Sequence, residues 1–130
     1  MSNSVSHGAS MKVVDLDGVA LDYWVAIADG WGPVWYVVEG GPLRESVAVA
    51  HPNRTAILGY APSTDWSLGG PIIERKGITL RFRGADLRGR WSARAVNVDR
   101  SSIIELFGPA PLVAAMRCFV GSRFGEEVHE

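Results

Sequence analysis

The densest run of chemically useful residues is Tyr60-Ala61-Pro62-Ser63-Thr64-Asp65-Trp66, followed by Gly69-Gly70-Pro71-Ile72-Ile73-Glu74-Arg75. Ser63, Thr64 and Asp65 carry oxygens that accept from the free N–H groups at a helix start. Trp66 supplies a flat apolar face, and Gly69-Gly70 allows positive φ or the close approach of a ligand to backbone. Two arrangements fit these types and spacings. One is a small-molecule or anion pocket at a helix N-terminus; the other is a capped, glycine-hinged linker whose tryptophan plugs the core. Arg117, set among apolar neighbours, requires a partner, because a buried unpaired charge is costly. Asp65 is the first expected partner and Glu74 the second, with Arg117 either tying helix to loop or standing at a pocket rim. No Gly-Lys-Ser/Thr follows the glycines, so the run is not a phosphate-binding P-loop.

A second constellation is electrostatic. Residues 75–100 hold Arg75, Lys76, Arg81, Arg83, Arg88, Arg90, Arg94 and Arg100 against Asp86 and Asp99, a net +6 in a chain whose formal charge is −1. Ile78, Leu80 and Phe82 alternate with Thr79, Arg81 and Arg83, while Trp91, Ala93 and Ala95 alternate with Arg90, Ser92 and Arg94. This is a hairpin pattern that puts Arg81, Arg83, Arg90 and Arg94 on one face. Such a face can track a phosphate backbone, or simply be solvated and balance acidic residues elsewhere. Phe82 and Trp91 have the opposite parity, so no aromatic residue is expected among the arginines and base stacking is not anticipated.

Other chemistry is poorly supplied. Cys118 stands alone, in mid-helix on a small-residue side, where a free thiol acts as a small buried apolar group. His7, His51 and His129 form no paired-ligand spacing, and there is no HExxH or CxxC, so no metal, cofactor or catalytic residue is expected. A Ser-His-Asp triad would have to recruit His51 from an unpatterned loop.

The elements that must position these residues are partly visible. An apolar share of 47% and a charged share of 21% over 130 residues fit one globular domain. The small polar residues 1–10 read as a disordered tail before a domain spanning 11–130. Residues 17–29 predict a helix apolar nearly all round, with Asp15, Asp22 and Asp29 as a thin solvated stripe and Gly30 as its stop. Val34–Val38, 47–50, 55–58 and Ile103–Phe107 read as short strands, with breaks at Gly40-Gly41-Pro42 and around His51–Arg54. Pro71 is expected at the first position of a short helix ended by Gly77. Pro111 opens a stronger helix to about Phe124. Leu112, Val113, Met116, Phe119, Val120 and Phe124 form its bulky side; Ala114, Ala115, Cys118, Gly121 and Ser122 form its small side, suited to close backbone approach. The expected fold is α+β, a small antiparallel or mixed sheet of about three to five strands covered by the N-terminal and C-terminal helices. The start Met1-Ser2-Asn3-Ser4 lacks export-signal features, and no apolar run approaches the ~18 residues of a membrane span, so a cytoplasmic protein with no membrane contact is expected.

Three blocks also carry a resemblance. Met11-Lys12-Val13 with Gly18, Ala20-Leu21-Asp22 and Val25-Ala26 is the first, and the Tyr60–Arg75 run is the second. Gly108, Pro111-Leu112, Ala114–Val120, Ser122 and Gly125–Val128 make the third. In this order and spacing the chain resembles the NinX-like family of phage and prophage proteins over residues 11–128, weakly at 38–58 and in the hairpin loop. The resemblance implies a small cytoplasmic phage or prophage protein, without an activity or catalytic residues to carry over. Ala110 departs from the family's usual capping threonine, a difference of about 1 kcal/mol. The leading expectation is a non-catalytic accessory protein that binds a protein or small ligand through Tyr60–Arg75. A nucleic-acid binder using the arginine hairpin comes second, and a small-molecule enzyme built on Asp65, Glu74 and Arg117 third.

Overall fold

Pro111 does open a helix, α3 (Pro111–Phe124), and that helix is buried on almost every side. The structure, a computed structural model, describes residues 10–37, 45–51, 54–85 and 88–129, with backbone alone for 33–37, 45–46, 51 and 54–55. The tail 1–9, the break at Gly40-Gly41-Pro42, Pro52-Asn53 and the Asp86-Leu87 loop tip lie outside the described residues.

The architecture is α+β. In chain order it runs β1 (Ser10–Lys12), a 3-10 turn at Val13–Asp15, α1 (Gly18–Ala28), β2 (Gly32–Val37), β3 (Glu45–His51) and β4 (Arg54–Ile57). Then come α2 (Trp66–Lys76), β5 (Thr79–Phe82), β6 (Trp91–Val96), β7 (Ile103–Gly108), α3 and β8 (Glu127–His129). The strands are shared among three antiparallel sheets: β1 with β8, β2-β3-β4, and β5-β6-β7. Ser10, assigned to the tail by its composition, instead opens β1 opposite His129.

The two sides of α3 explain the layering. Its small residues meet β6 and β7 so closely that a Cβ on Gly108 would stand 2.7 Å from Ala114 N and 3.1 Å from Ala114 Cα. Gly121 likewise faces the side-chain ends of Ile104 and Leu106. Bulky residues cover the other side, where α1 and α2 pack: Leu112 reaches Gly69 of α2, and Phe124 makes an edge contact with Trp24 of α1 at 5.7 Å between centroids. Leu21, Trp24, Val25 and Ala26 of α1 are buried, and α1 also packs on β2 and β3. The helix therefore sits between a sheet and two helices, and among the described residues no second helix or sheet packs on the other face of β5-β6-β7.

Helix α2 starts earlier than Pro71 suggests. Asp65 caps it, its carboxylate accepting from Ser67 N at 2.9 Å and Ser67 Oγ at 2.6 Å, so Pro71 falls inside the helix. Proline there removes the one N–H that would have reached the Ser67 carbonyl. A side chain that satisfies the first free amides outweighs that loss.

Gly108→Ala drives its new methyl into backbone that cannot move independently of α3. The expected result is destabilisation of about 2–3 kcal/mol, the upper range for overpacking, measured by urea unfolding against wild type.

Candidate functional site

Within Tyr60–Arg75 most polar groups are turned to the protein's own use. Tyr60 is buried, its N–H donating to Val47 O at 2.7 Å and its ring 6.0 Å from Trp31. Thr64 and Asp65 close a turn onto Ala61 O. Ser63 is buried, and its N–H donates to Asp22 Oδ1 at 2.9 Å. Asp22 therefore does not belong to a solvated stripe: it is 4% exposed and satisfies the backbone of a segment forty-one residues away. Asp29 departs from the stripe as well, since it pairs with Arg75 from α2. Two of three aspartates at seven-residue spacing thus bind α1 to the Tyr60–Arg75 segment.

The pocket expected at the start of α2 is filled. Asp65's own carboxylate occupies the position where an anion would meet the first amides. Gly69 admits no ligand, because a Cβ there would lie 2.5 Å from Pro62 O and 2.6 Å from Leu112 Cδ2; it is the point where α2 packs on its surroundings. Gly70 has open space around it. Trp66 does not plug the core but stands 53% exposed.

Arg117 is directed elsewhere than expected. Its Nε donates to Leu16 O at 2.7 Å and its Nη1 to Phe107 O at 2.9 Å, so it joins the approach to α1, the end of β7 and α3. Among the described residues neither Asp65 nor Glu74 pairs with it. Burial draws its pKa down, with Asp17 and Asp15 acting in the other direction. Backbone carbonyls substitute for a carboxylate because half-burial leaves the guanidinium some hydration. Asp65 and Glu74 sit at opposite ends of α2, about 13 Å apart along its axis. Asp65, Glu74 and Arg117 do not converge, and the enzyme reading built on them is set aside.

The hairpin supplies a different surface. Register places Thr79, Arg94 and Glu105 in one row across the outer face, and Arg81, Ser92 and Phe107 in the next. Arg83 and Arg90 continue that face beyond the paired strands, linked by a backbone hydrogen bond. Ser92, on the same face, is 0% exposed, and its hydroxyl has no hydrogen-bond partner among the described residues. Phe107 corrects the expectation that no aromatic lies among the arginines: the guanidinium carbons of Arg88 and Arg83 stand 4.1 Å and 5.8 Å from its ring centroid. Arg81, Arg90 and Arg94 are exposed and form no ion pair among the described residues. Phe82, expected to face inward, is 61% exposed and leans on Trp91 at 5.2 Å, because the hairpin end projects past α3. Counting the third strand would have revealed Phe107, since Ile104 and Leu106 have the core-facing parity and residue 107 must point outward. Residues 75–100 carry net +6, so the rest of the chain is net −7.

Cys118 is buried against β7, its Sγ 3.8 Å from Ile104 O. Burial pushes its thiol up to about 12, Glu105 adds to the rise and the Leu106 amide opposes it. A thiol held protonated in this way is no nucleophile. Among the described residues no group of three His, Cys, Asp or Glu side chains could hold a metal ion, and no helix is long and apolar enough to cross a membrane.

The family model described as Bacteriophage P22, NinX matches residues 12–123, from the end of β1 to the last turn of α3. The chain belongs to the NinX family. No curated protein matches it. Membership marks this NinX-family chain as a phage-type protein and assigns none of its residues a role. The match takes in both the Asp22–Ser63 link and the arginine-bearing sheet.

Burial pushes the Asp22 carboxyl up to about 6, and Asp17 adds to the rise, against the Ser63 amide. The unfolded carboxyl titrates near 3.8. Between pH 6 and pH 4 the folded chain thus binds a proton that the unfolded chain releases, and stability gains as pH falls. Asp22→Asn, which keeps an acceptor for Ser63, is expected to remove this gain. Urea unfolding of both proteins from pH 4 to pH 7 measures it, with the stability difference changing below pH 6 and constant above.

Proposed function

We propose that the chain binds single-stranded nucleic acid across the outer face of β5-β6-β7. The observation that carries this reading is a sheet face that bears the exposed Arg81, Arg90 and Arg94 together with Phe107, whose ring Arg88 and Arg83 approach. Guanidinium groups bind phosphate oxygens in a forked geometry, and they stack on bases as readily as on phenylalanine. A flat β surface with cationic groups over an aromatic ring suits unpaired bases better than a duplex groove. Because the chain as a whole is net −1, attraction is local to this face and acts at short range, with strong dependence on salt.

A second reading attaches to Trp66, the large apolar side chain that the Tyr60–Arg75 segment leaves 53% exposed. As an anchor for a protein partner it fits the enrichment of tryptophan at binding hot spots. Trp66→Ala would then abolish capture of that partner from prophage-induced cells while unfolding remains unchanged.

Fluorescence anisotropy of a labelled oligonucleotide tests the leading reading. The association constant is expected to fall with salt at a log–log slope of about −2 or steeper, roughly 0.7 per phosphate engaged. Arg81→Ala, Arg90→Ala and Arg94→Ala should each reduce that slope by about 0.7. Arg75→Ala, which touches Asp29 instead, should leave it unaltered. Absence of binding at low salt rejects the proposal.

A further inference from the structure

Strand β7 forms one edge of its sheet, and the phase of its hydrogen bonds follows from the turn that precedes it. Asn97 N donates to Ser102 O at 2.9 Å, so the pairs Ala95–Ile104, Ala93–Leu106 and Trp91–Gly108 exchange hydrogen bonds. Ile103, Glu105 and Phe107 must then direct their backbone groups away from β6. The Phe107 carbonyl is taken by Arg117. Among the described residues nothing accepts or donates at the edge-facing groups of Ile103 and Glu105.

That edge borders a groove of about 570 Å³ between β7, the end of α3 and the β1–β8 pair. Val14 and Ile103, both more than half exposed, and Leu106 give it an apolar wall. Glu105, Glu126 and Glu127 line it against Lys12, three carboxylates to one ammonium. The wall and the free edge together match an extended chain better than a compact ligand, since a strand lays alternate side chains on either side of its backbone. The excess of carboxylates selects its charge.

We infer that β7 accepts an added strand, and that its partner is an extended peptide segment alternating basic and aliphatic residues. The segment pairs its backbone with Ile103 and Glu105, places aliphatic side chains against Val14, Ile103 and Leu106, and brings its basic groups to Glu105, Glu126 and Glu127. This site meets the arginine face at Glu105, but Arg81, Arg90 and Arg94 take no part in it and Glu126 and Glu127 none in the other, so either can fail without the other.

The test is anisotropy titration of the full chain with fluorescein-labelled acetyl-Val-Lys-Val-Lys-Val-Lys-Val-amide. The counterpart with glutamate in place of lysine and two copies N-methylated on the two sets of alternate amides serve as comparisons. The lysine peptide should bind at least tenfold more tightly than the glutamate peptide, and methylation of one set should cost at least tenfold. Glu126→Lys combined with Glu127→Lys, both exposed positions, should weaken the lysine peptide at least tenfold with thermal unfolding unchanged. Equal binding of lysine and glutamate peptides, or indifference to both methylations, overturns the inference. Sedimentation of the chain alone gives the remaining arm: self-association abolished by the same double substitution would identify a second copy as the occupant and overturn the peptide assignment.

Discussion

Helix α3 is covered by a sheet on one side and by two helices on the other, and a helix in that position has to satisfy two different distances. A sheet can come close only if the facing side chains are small, whereas two neighbouring helices leave gaps that large side chains must fill. Ala114, Ala115, Cys118 and Gly121 meet the first condition; Leu112, Met116 and Phe119 meet the second. Gly108 carries the approach to its limit, with β7 backbone against α3 backbone. Once α3 is seated, β5-β6-β7 has one face occupied, and the other carries the exposed Arg81 and Arg94. The surface that bears the arginines is a result of how the core closes.

Polar residues link the remaining parts to this centre. Asp22 receives the Ser63 amide, Asp29 meets Arg75, and Arg117 holds two carbonyls from segments before α1 and at the end of β7. Each joins elements far apart in sequence, and each uses a charged group where a neutral one could supply similar geometry. The cost is visible at Asp22, whose ionised form is disfavoured by burial. Asp29 offsets Arg75, whereas Arg81, Arg90 and Arg94 form no ion pair among the described residues.

What was legible in the sequence follows the range of the interaction. Helices α1 and α3 show as long apolar runs with local stops and starts at Gly30, Pro111 and Gly125, and the β5–β6 hairpin shows in its alternation. The start of α2 was obscured by two competing local signals, Asp65 as a cap and Pro71 as a first-turn residue, and the cap prevailed. Nothing local marks Ser10 as the partner of His129, so the β1–β8 pair and the division of strands into three sheets could not be read. The partners of the candidate site residues are hidden for the same reason. Arg117 and Asp65 have complementary charges, but position along the chain does not say which carbonyls lie nearer. Phe107 joins the arginine face only through the third strand, whose pairing to β6 is not marked by the two-strand alternation.

Cys118 sits where α3 meets β7, and its thiol stays protonated until about pH 12. At neutral pH burial keeps the thiol protonated, and the surrounding core shields it from reagents. A thiol-reactive dye can therefore attach only after the helix has lifted from the strand beneath it. The rate of labelling becomes a direct reading of how often the molecule opens at its centre, obtained from the native chain without introducing a probe.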